Sequence, residues 1–264
     1  MTAWQQLGLL AILTWAAMSA AWAWQRLKHN IGIVDIVWSA CLGLGALLIA
    51  ATGTGAATPR ALLAILGGIW SLRLAWHLWL RLDEGEDGRY GALRARWEGH
   101  QGKIYGLFAF QAGLVVLFAI PFTAVAANPV TPAMPWLIVA IAIWIVSVMG
   151  EALADRQLAS FRRDPRNKGR ACRNGLWRYS RHPNYFFEWC HWFAYAALAA
   201  GSPIQAASWL GPVTMYIFLR WISGIPYTEM QALRTRGDDY RQYQRTTARF
   251  FPWFPHSDDS ERGQ

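Results

Sequence analysis

The residues best suited to chemistry lie in one short stretch, Gly169 to His191, which reads GRACRNGLWRYSRHPNYFFEWCH. Its polar side chains crowd together at Arg178, Tyr179, Arg181, His182, Asn184, Tyr185 and Glu188. Pro183 stands where a helix would begin, so this polar group enters an apolar segment. Charged groups inside a lipid-embedded segment cost free energy and usually mark function. We therefore predict that this stretch forms a binding or catalytic site.

The loop that leads into this stretch is strongly basic. Its cationic residues are Arg162, Arg163, Arg166, Lys168, Arg170, Arg173, Arg178 and Arg181. Arginine binds phosphate with two parallel hydrogen bonds, and a helix N-terminus adds unpaired N–H donors. This pattern favours a phosphate-rich dinucleotide or an adenosyl cofactor. No GxGxxG motif follows a strand, so a Rossmann fold is excluded as the binding device.

A metal site is not predicted. Glu188 and His191 have the Glu-x-x-His spacing of carboxylate di-metal bundles, but the chain holds no second copy of that motif. The three cysteines, Cys41, Cys172 and Cys190, lack metal-ligand spacing and do not resemble a disulfide framework.

Other polar residues stand at the ends of apolar runs. They are Asp35, the pair Arg73 and His77, the pair Glu151 and Asp155, and the flanking residues Arg220 and Glu229. Several of them also have a purely structural interpretation. Arg73 could be a snorkelling anchor, Glu151 and Asp155 could pair with the basic loop, and the histidines could be hydrogen-bonded core residues. Asp35 and Glu188 lack obvious local partners, so we expect them to be functional.

The elements that must position these residues are membrane helices. The chain is 54% hydrophobic, and its charges are segregated, with none from Ile104 to Gly150. A hydrocarbon core needs about 20 apolar residues per helix. The sequence therefore predicts an all-α, polytopic membrane protein, a bundle of seven transmembrane helices. The predicted spans are Trp4–Trp24, Ile31–Ala51, Arg60–Leu80, Ile104–Ala126, Trp136–Phe161, Asn184–Ala200 and Ala206–Ile225.

The loops predict the orientation of these spans. Those after the first, third, fifth and seventh spans are rich in Lys and Arg, whereas the others hold only Arg60. The positive-inside rule then places the N-terminus outside and the C-terminus in the cytoplasm. The same rule accounts for the net charge of +9 without a nucleic-acid partner. We expect residues 1–30 to form the first span and a short basic loop, residues 31–255 a six-helix domain with cytoplasmic cofactor loops, and residues 256–264 a polar tail.

Several motifs resemble the steroid 5-alpha-reductase family, and in particular its bacterial branch of membrane proteins. They are GEALADRQLASFRRDPRNKG, GLWRYSRHPNYFFEW, IGIVDIVW, WSLRLAWHLW, GEDGRY and the ending SGIPYTEMQALRTRGDDYRQYQRTTARFFPWFP. Together they cover most of the chain after residue 30. The Arg-His-Pro-Asn-Tyr core is less specific, because sterol reductases share it and isoprenylcysteine methyltransferases have an Arg-His-Pro-x-Tyr version.

The resemblance implies a seven-helix reductase that binds NADPH from the cytoplasmic side. Asn184 and Glu188 match family residues near the nicotinamide. The other positions implied to hold the dinucleotide are Asp155, Arg173, Tyr179, Arg181 and His182. Asp35 falls where the family has an acidic residue that hydrogen-bonds the substrate carbonyl.

Two departures from the family concern the substrate. Trp70 falls where the family has a carbonyl-contacting tyrosine, three residues before a basic position that here is Arg73, and tryptophan offers no hydroxyl. Phe187 stands where relatives commonly have glycine before the glutamate, so a ring there would reshape the cavity beside the cofactor.

The sequence thus predicts NADPH-dependent reduction of a conjugated C=C bond in a steroid-like or other lipophilic substrate. The substrate would enter from the bilayer of a bacterial inner membrane. Asp35 would have to be protonated to stabilise an enolate, with Tyr185 and Arg73 as further donors and Trp70 and Glu188 beside them. The alternatives are an S-adenosylmethionine-dependent lipid methyltransferase and a non-enzymatic protein whose arginines bind membrane lipids.

Overall fold

The structure is a computed structural model that describes residues 1–82 and 85–256. Every regular element in those ranges is helical. The α-helices are α1 (Ala3–Lys28), α2 (Ile33–Thr52), α3 (Ala57–Leu82), α4 (Gly88–Arg96), α5 (Gln101–Ala126), α6 (Met134–Arg163), α7 (Pro183–Leu198), α8 (Leu210–Ile217) and α9 (Ile225–Thr246). The predicted all-α class is confirmed, and most of the predicted tail, from residue 257 onward, lies outside the described residues.

Five of these helices, α1, α2, α3, α5 and α6, are long and apolar enough to cross a membrane. They correspond to the first five predicted spans. The sixth predicted span is the shorter helix α7, and the seventh is built from three pieces: a 3-10 turn at Gln205–Trp209, α8, and a π-helical turn at Phe218–Ile222. The described chain therefore supports an integral membrane protein with five candidate spans, and the count of seven is not confirmed.

The described chain divides into two compact units. The first holds Met1–Ala140 and Tyr195–Gly211, and the second holds Ile141–Ala194 with the residues from Pro212 onward. Helices α6 and α7 each contribute residues to both units. The predicted boundary at residue 30, which set the first span apart, stays a prediction; α1 lies within the first unit.

In the first unit, small residues let α2 and α3 approach closely. A β-carbon added at Gly67 on α3 would lie 2.6 Å from the Ala46 Cβ on α2, and one added at Gly43 would overlap Ser71. The Ser71 hydroxyl donates to the Ser39 carbonyl at 2.5 Å. Lipid-embedded helices associate through such small-residue contacts, because the bilayer provides no hydrophobic drive between apolar surfaces. This packing fixes α2, which carries Asp35.

In the second unit, hydrogen bonds tie the basic loop to its flanking helices. The Trp177 indole donates to the Ala154 carbonyl on α6 (2.9 Å), and the Leu176 N–H donates to Gln157 (2.9 Å). From α9, the Tyr243 hydroxyl donates to the Trp177 carbonyl. The loop is therefore held at defined points between α6 and α9, as a binding loop must be to keep its side chains in place.

Candidate functional site

The head of α7 carries a polar pair that the sequence placed at the cofactor. Asn184 Nδ2 donates to Asp155 Oδ1 on α6 at 3.1 Å, and Asn184 Oδ1 accepts from its neighbour's backbone, Tyr185 N, at 3.0 Å. Both side chains are half-buried. The structure thus brings together two of the predicted cofactor residues, 29 positions apart, in one amide–carboxylate contact.

Glu188 lies one turn further along α7. Its side chain is 12% exposed, and its Oε1 lies 3.7 Å from His191 Nδ1, while the same nitrogen lies 2.6 Å from the Glu188 carbonyl. Tyr185, between Asn184 and Glu188, stacks on the His182 ring and hydrogen-bonds the Thr228 hydroxyl at 3.2 Å. This part of α7 therefore carries a continuous polar face. In the described part of the chain, no three His, Cys, Asp or Glu side chains come together as metal ligands.

A cavity of about 540 Å³ opens beside the basic loop in the second unit. Its volume lies within the usual range for small-molecule sites. Its basic lining consists of Arg162, Lys168, Arg170, Arg181 and Arg236. Asp164, the one acidic residue in the lining, is paired with Arg166 at 2.7 Å. Gly169 lies at its edge with φ +80°, a conformation that favours glycine and exposes the backbone.

Arg181 and His182 line this cavity, but a buried ion cluster already engages them. Arg181 Nε donates to Glu229 Oε1 (2.7 Å), and its Nη1 donates to the carbonyls of Gln244 and Thr247 (2.8 Å each). His182 Nε2 lies 3.4 Å from the same Glu229 oxygen. Arg181 therefore anchors the end of α9 to the head of α7, a role the sequence did not suggest.

The electrostatics of this cluster favour an ionised Glu229 and a neutral His182. Burial opposes ionisation of Glu229, but the hydrogen bond from His182 and the Arg181 charge outweigh it and lower the Glu229 pKa to about 2. Burial also lowers the pKa of His182, against the pull of Glu229. A neutral imidazole can still donate its Nε2 proton to the carboxylate, so the contact does not require a second positive charge.

Arg173 and Tyr179, which the resemblance also placed at the cofactor, make structural contacts. Arg173 donates to the Asp239 carboxylate (2.9 Å) and to the Asp239 carbonyl (2.7 Å). Tyr179 is 37% exposed, its ring lies edge-on to Phe254, and its carbonyl accepts from Trp253 N. Neither residue lines the cavity, and their proposed cofactor contacts stay predictions.

Asp35, in the first unit, has partners that the sequence reading missed. Its Oδ2 accepts from Arg89 Nη2, and its Oδ1 accepts from the Tyr90 hydroxyl, both at 2.6 Å. Arg89 Nη2 also donates to the Tyr90 hydroxyl oxygen at 3.0 Å. Both side-chain oxygens of Asp35 thus accept hydrogen bonds. This arrangement does not require the carboxyl proton with which Asp35 was expected to stabilise an enolate.

The helix α4, which carries Arg89 and Tyr90, is tied to the start of α2 through Glu86. Glu86, just before α4, accepts from Ile31 N (2.8 Å) and also pairs with Arg94 in the last turn of α4 (2.8 Å). Tyr90 is 3% exposed, and its burial, together with the Asp35 charge, raises its pKa well above 10. The GEDGRY motif was the only signal for this group, and composition alone described it as a surface helix.

Trp70 and Arg73, the other predicted substrate residues, both lie on α3 in the first unit. Trp70 is 1% exposed, so its side chain belongs to the helix core, whereas Arg73 is half-buried. Phe187, the other position at which the sequence departs from the motifs it resembles, packs on α6 in the second unit, and its ring lies against Gly150.

Comparison with known proteins identifies a family. The family model DUF1295, described as "Protein of unknown function", matches residues 21–247, which includes every predicted site residue. No curated protein and no solved structure matched.

Proposed function

The chain belongs to the DUF1295 family, and from its own site residues we propose that it is an NADPH-dependent membrane reductase of a conjugated C=C bond in a lipophilic substrate. One observation carries the proposal: a cavity of about 540 Å³ with a cationic lining lies beside the loop that leads directly to Asn184, which stands outside the lining. The volume and the cationic lining of this cavity suit a small molecule that carries phosphate groups.

The residues present suit a dinucleotide. Lys168 and Arg170 are exposed lining residues whose side chains donate no hydrogen bond to any described residue, so their charges are available for phosphates. Arg236, on the α9 side, is suited to a 2′-phosphate, the group that distinguishes NADPH from NADH. The Asn184–Asp155 pair offers an amide and a carboxylate, which match the donor and acceptor of a nicotinamide carboxamide.

When bound, NADPH would supply a hydride to the β-carbon of an enone, and a proton from water would then complete the reduction at the α-carbon. The chain must then stabilise the negative charge that develops on the carbonyl oxygen. We assign this role to the Arg89 guanidinium, which has several N–H donors, and to the Tyr90 hydroxyl, whose single proton is donated to Asp35 in this structure and would turn to the substrate oxygen. Asp35 is thus a positioning residue that holds the two donors and balances the Arg89 charge.

The proposed substrate is apolar and comes from the bilayer. Five candidate spans support a membrane location, and α3 exposes Leu72, Trp76 and Trp79. We further propose seven spans in a bacterial inner membrane, with the N-terminus outside and the basic loops in the cytoplasm, where NADPH is found. The positive-inside bias of the loops supports this orientation.

Ligand-induced stabilisation tests the proposal. A ligand that binds only the native protein raises its apparent stability, so purified protein should melt at a higher temperature with NADPH than without it. S-adenosylmethionine at the same concentration should have no effect. Stabilisation by S-adenosylmethionine instead of NADPH would identify a methyltransferase, and the absence of both would favour a non-enzymatic protein.

The cavity itself is tested by charge removal. Lys168→Gln with Arg170→Gln should weaken NADPH binding at least tenfold, because two phosphate contacts are lost. Arg163→Gln with Arg178→Gln is the matched control: it removes the same charge from exposed residues of the same region outside the cavity lining. Equal effects from both pairs would mean that only the overall charge of the loop matters. NADPH oxidation with a panel of lipophilic enones then tests the reaction.

A further inference from the structure

A second cavity lies along α9, apart from the one assigned to the cofactor. It has a volume of about 550 Å³ and is open to the surface. Its lining combines apolar side chains from the first turns of the helix, Ile225, Pro226, Met230 and Leu233, with three arginines. This α9 cavity is therefore amphiphilic: residues from the start of α9 give it an apolar region, and the arginines give it a cationic region.

The arginines of the α9 cavity are Arg234, Arg241 and Arg249. Arg234 is exposed, and it donates no hydrogen bond to any described residue. Arg249 is 45% exposed and only loosely paired, with its Nε 3.6 Å from Glu229 Oε2. Arg241 has an exposed partner, Asp238, at 2.6 Å. Such side chains can turn toward an anion at little cost, because surface ion pairs contribute little stability.

The single acid in the lining does not cancel these charges. Glu229 already accepts from Arg181, which is outside the lining, at 2.7 Å and from Gln244, which is part of the lining, at 3.2 Å. The lining therefore holds three arginines and one carboxylate, and that carboxylate is already hydrogen-bonded. The cavity has a net positive charge, so we expect an anionic occupant.

The surroundings of the cavity indicate a membrane interface. Before α9, Trp221 and Ile222 are 57% and 56% exposed, and after it Phe251, Trp253 and Phe254 are 52% to 73% exposed. Tyr216 joins the two groups, with its ring 5.3 Å from Trp221 and 6.1 Å from Phe251. Exposed aromatic belts with arginines beside them are typical of the headgroup level of a bilayer.

We infer that the α9 cavity binds the phosphate headgroup of an anionic membrane lipid. Arg234 and Arg249 take the phosphate, and Arg241 adds charge at the rim. The lipid's glycerol and upper acyl carbons lie over Ile225, Pro226 and Met230. The inference does not depend on the reductase proposal, since the cofactor cavity has its own lining.

The test measures thermal stabilisation of the detergent-purified full chain by phosphatidylglycerol, phosphatidylcholine and glycerol 1-phosphate. Phosphatidylglycerol should stabilise the protein, and the zwitterionic lipid and the soluble phosphate should not. An arginine near an anionic lipid contributes about fivefold in affinity, so Arg234→Gln with Arg249→Gln should require about 30-fold more phosphatidylglycerol for the same shift. Arg234→Lys with Arg249→Lys should retain most of the binding.

Arg245→Gln provides the control for loss of one charge, because Arg245 is exposed and close to Arg249 in the sequence but does not line the cavity. It should respond to phosphatidylglycerol as the unmodified chain does. Stabilisation by NADPH, measured in the same samples, should be unchanged in every variant, which separates this site from the cofactor cavity.

Equal stabilisation by both lipids, or an unaltered response of the double glutamine variant, would overturn the inference. Full stabilisation by glycerol 1-phosphate would identify a soluble phosphate ester instead. Should the double variant not fold, Arg234→Gln alone should show the fivefold loss.

Discussion

The ring of Phe187 on α7 occupies the space that a side chain at position 150 would need on α6. A β-carbon built on Gly150 would lie 2.5 Å from Phe187 Cε1 and 2.6 Å from two more atoms of the ring. Proteins of the steroid 5-alpha-reductase family, which the sequence motifs resemble, commonly have glycine at the position of Phe187. In this chain the small residue stands on the facing helix, so a bulky residue on α7 is accommodated without displacing α6.

Gly150→Ala should therefore destabilise the second unit. The added methyl group would force the Phe187 ring or α6 to move, and overpacking of this kind costs about 1–3 kcal/mol. The change should lower the melting temperature of the detergent-solubilised protein. It should do so although alanine favours helix formation over glycine by about 1 kcal/mol.

Two variants separate the steric effect from helix propensity. Gly113→Ala, in α5, meets open space, so this change should be neutral or stabilising. Gly150→Ala combined with Phe187→Ala should be more stable than the two separate losses predict, because the contact is removed. Simple additivity of the two changes would contradict the proposed packing.

Asn184→Ala should weaken NADPH binding without unfolding the protein. The change removes an amide that contacts Asp155 at 3.1 Å, and we expect at least a tenfold loss of affinity, about 1.4 kcal/mol. Thermal stabilisation by NADPH gives the affinity, and the melting temperature without ligand reports the fold. Asn174→Ala is the control, since Asn174 is exposed and its side chain makes no capping bond. Unchanged affinity in Asn184→Ala would remove Asn184 from the site.

Tyr90→Phe should lower the turnover of an enone much more than it lowers substrate binding. The hydroxyl is one of two donors held by Asp35, and loss of one oxyanion donor costs about 10²–10³-fold in kcat. Tyr105→Phe is a matched control, because its hydroxyl also bonds a side chain of the first unit, Ser19 at 3.1 Å, outside the Asp35 group. A rise in KM with unchanged kcat would assign Tyr90 a structural role. The raised pKa of Tyr90 means that this group should add no pH dependence below pH 10.

The long apolar runs were predictable because a membrane imposes length and composition on a helix without help from tertiary contacts. The chain from Ile104 to Gly150 carries no charge, and it forms most of α5 and the first half of α6. The last two spans were harder, since α7 ends at Leu198 and the segment after it changes from 3-10 to α to π geometry. Hydrophobicity alone does not distinguish such a broken segment from one straight helix.

The partners of charged groups could not be predicted. Asp35 pairs with Arg89, 54 residues away, and Arg181 pairs with Glu229, 48 residues away. Sequence shows that an arginine needs an anion, but a ligand phosphate and a distant carboxylate satisfy it equally well. This is why Arg181 was predicted as a cofactor contact and is engaged within the fold, while Tyr90 was overlooked.

The Glu229 cluster predicts how stability depends on pH. Glu229 has a pKa of about 2 in the folded protein and about 4.3 when unfolded, so the unfolded state binds more protons between these values. Its contribution, about 3 kcal/mol, is therefore complete above pH 5 and is lost as the pH falls toward 2. His182 also makes the protein less stable in acid. Burial lowers its pKa in the folded protein, so the unfolded state binds a proton at this histidine more readily. Melting temperatures from pH 7 to pH 3, in a detergent stable to acid, should fall steadily.

Glu229→Gln should lower the melting temperature at pH 7, since it removes the charge partner of a buried arginine, a loss of about 3–5 kcal/mol. It should also flatten the acid-side slope, with Asp238→Asn, an exposed carboxylate on the same helix, as the control. If Glu229→Gln keeps the full acid-side slope of the unmodified protein, the pH dependence arises from other carboxylates.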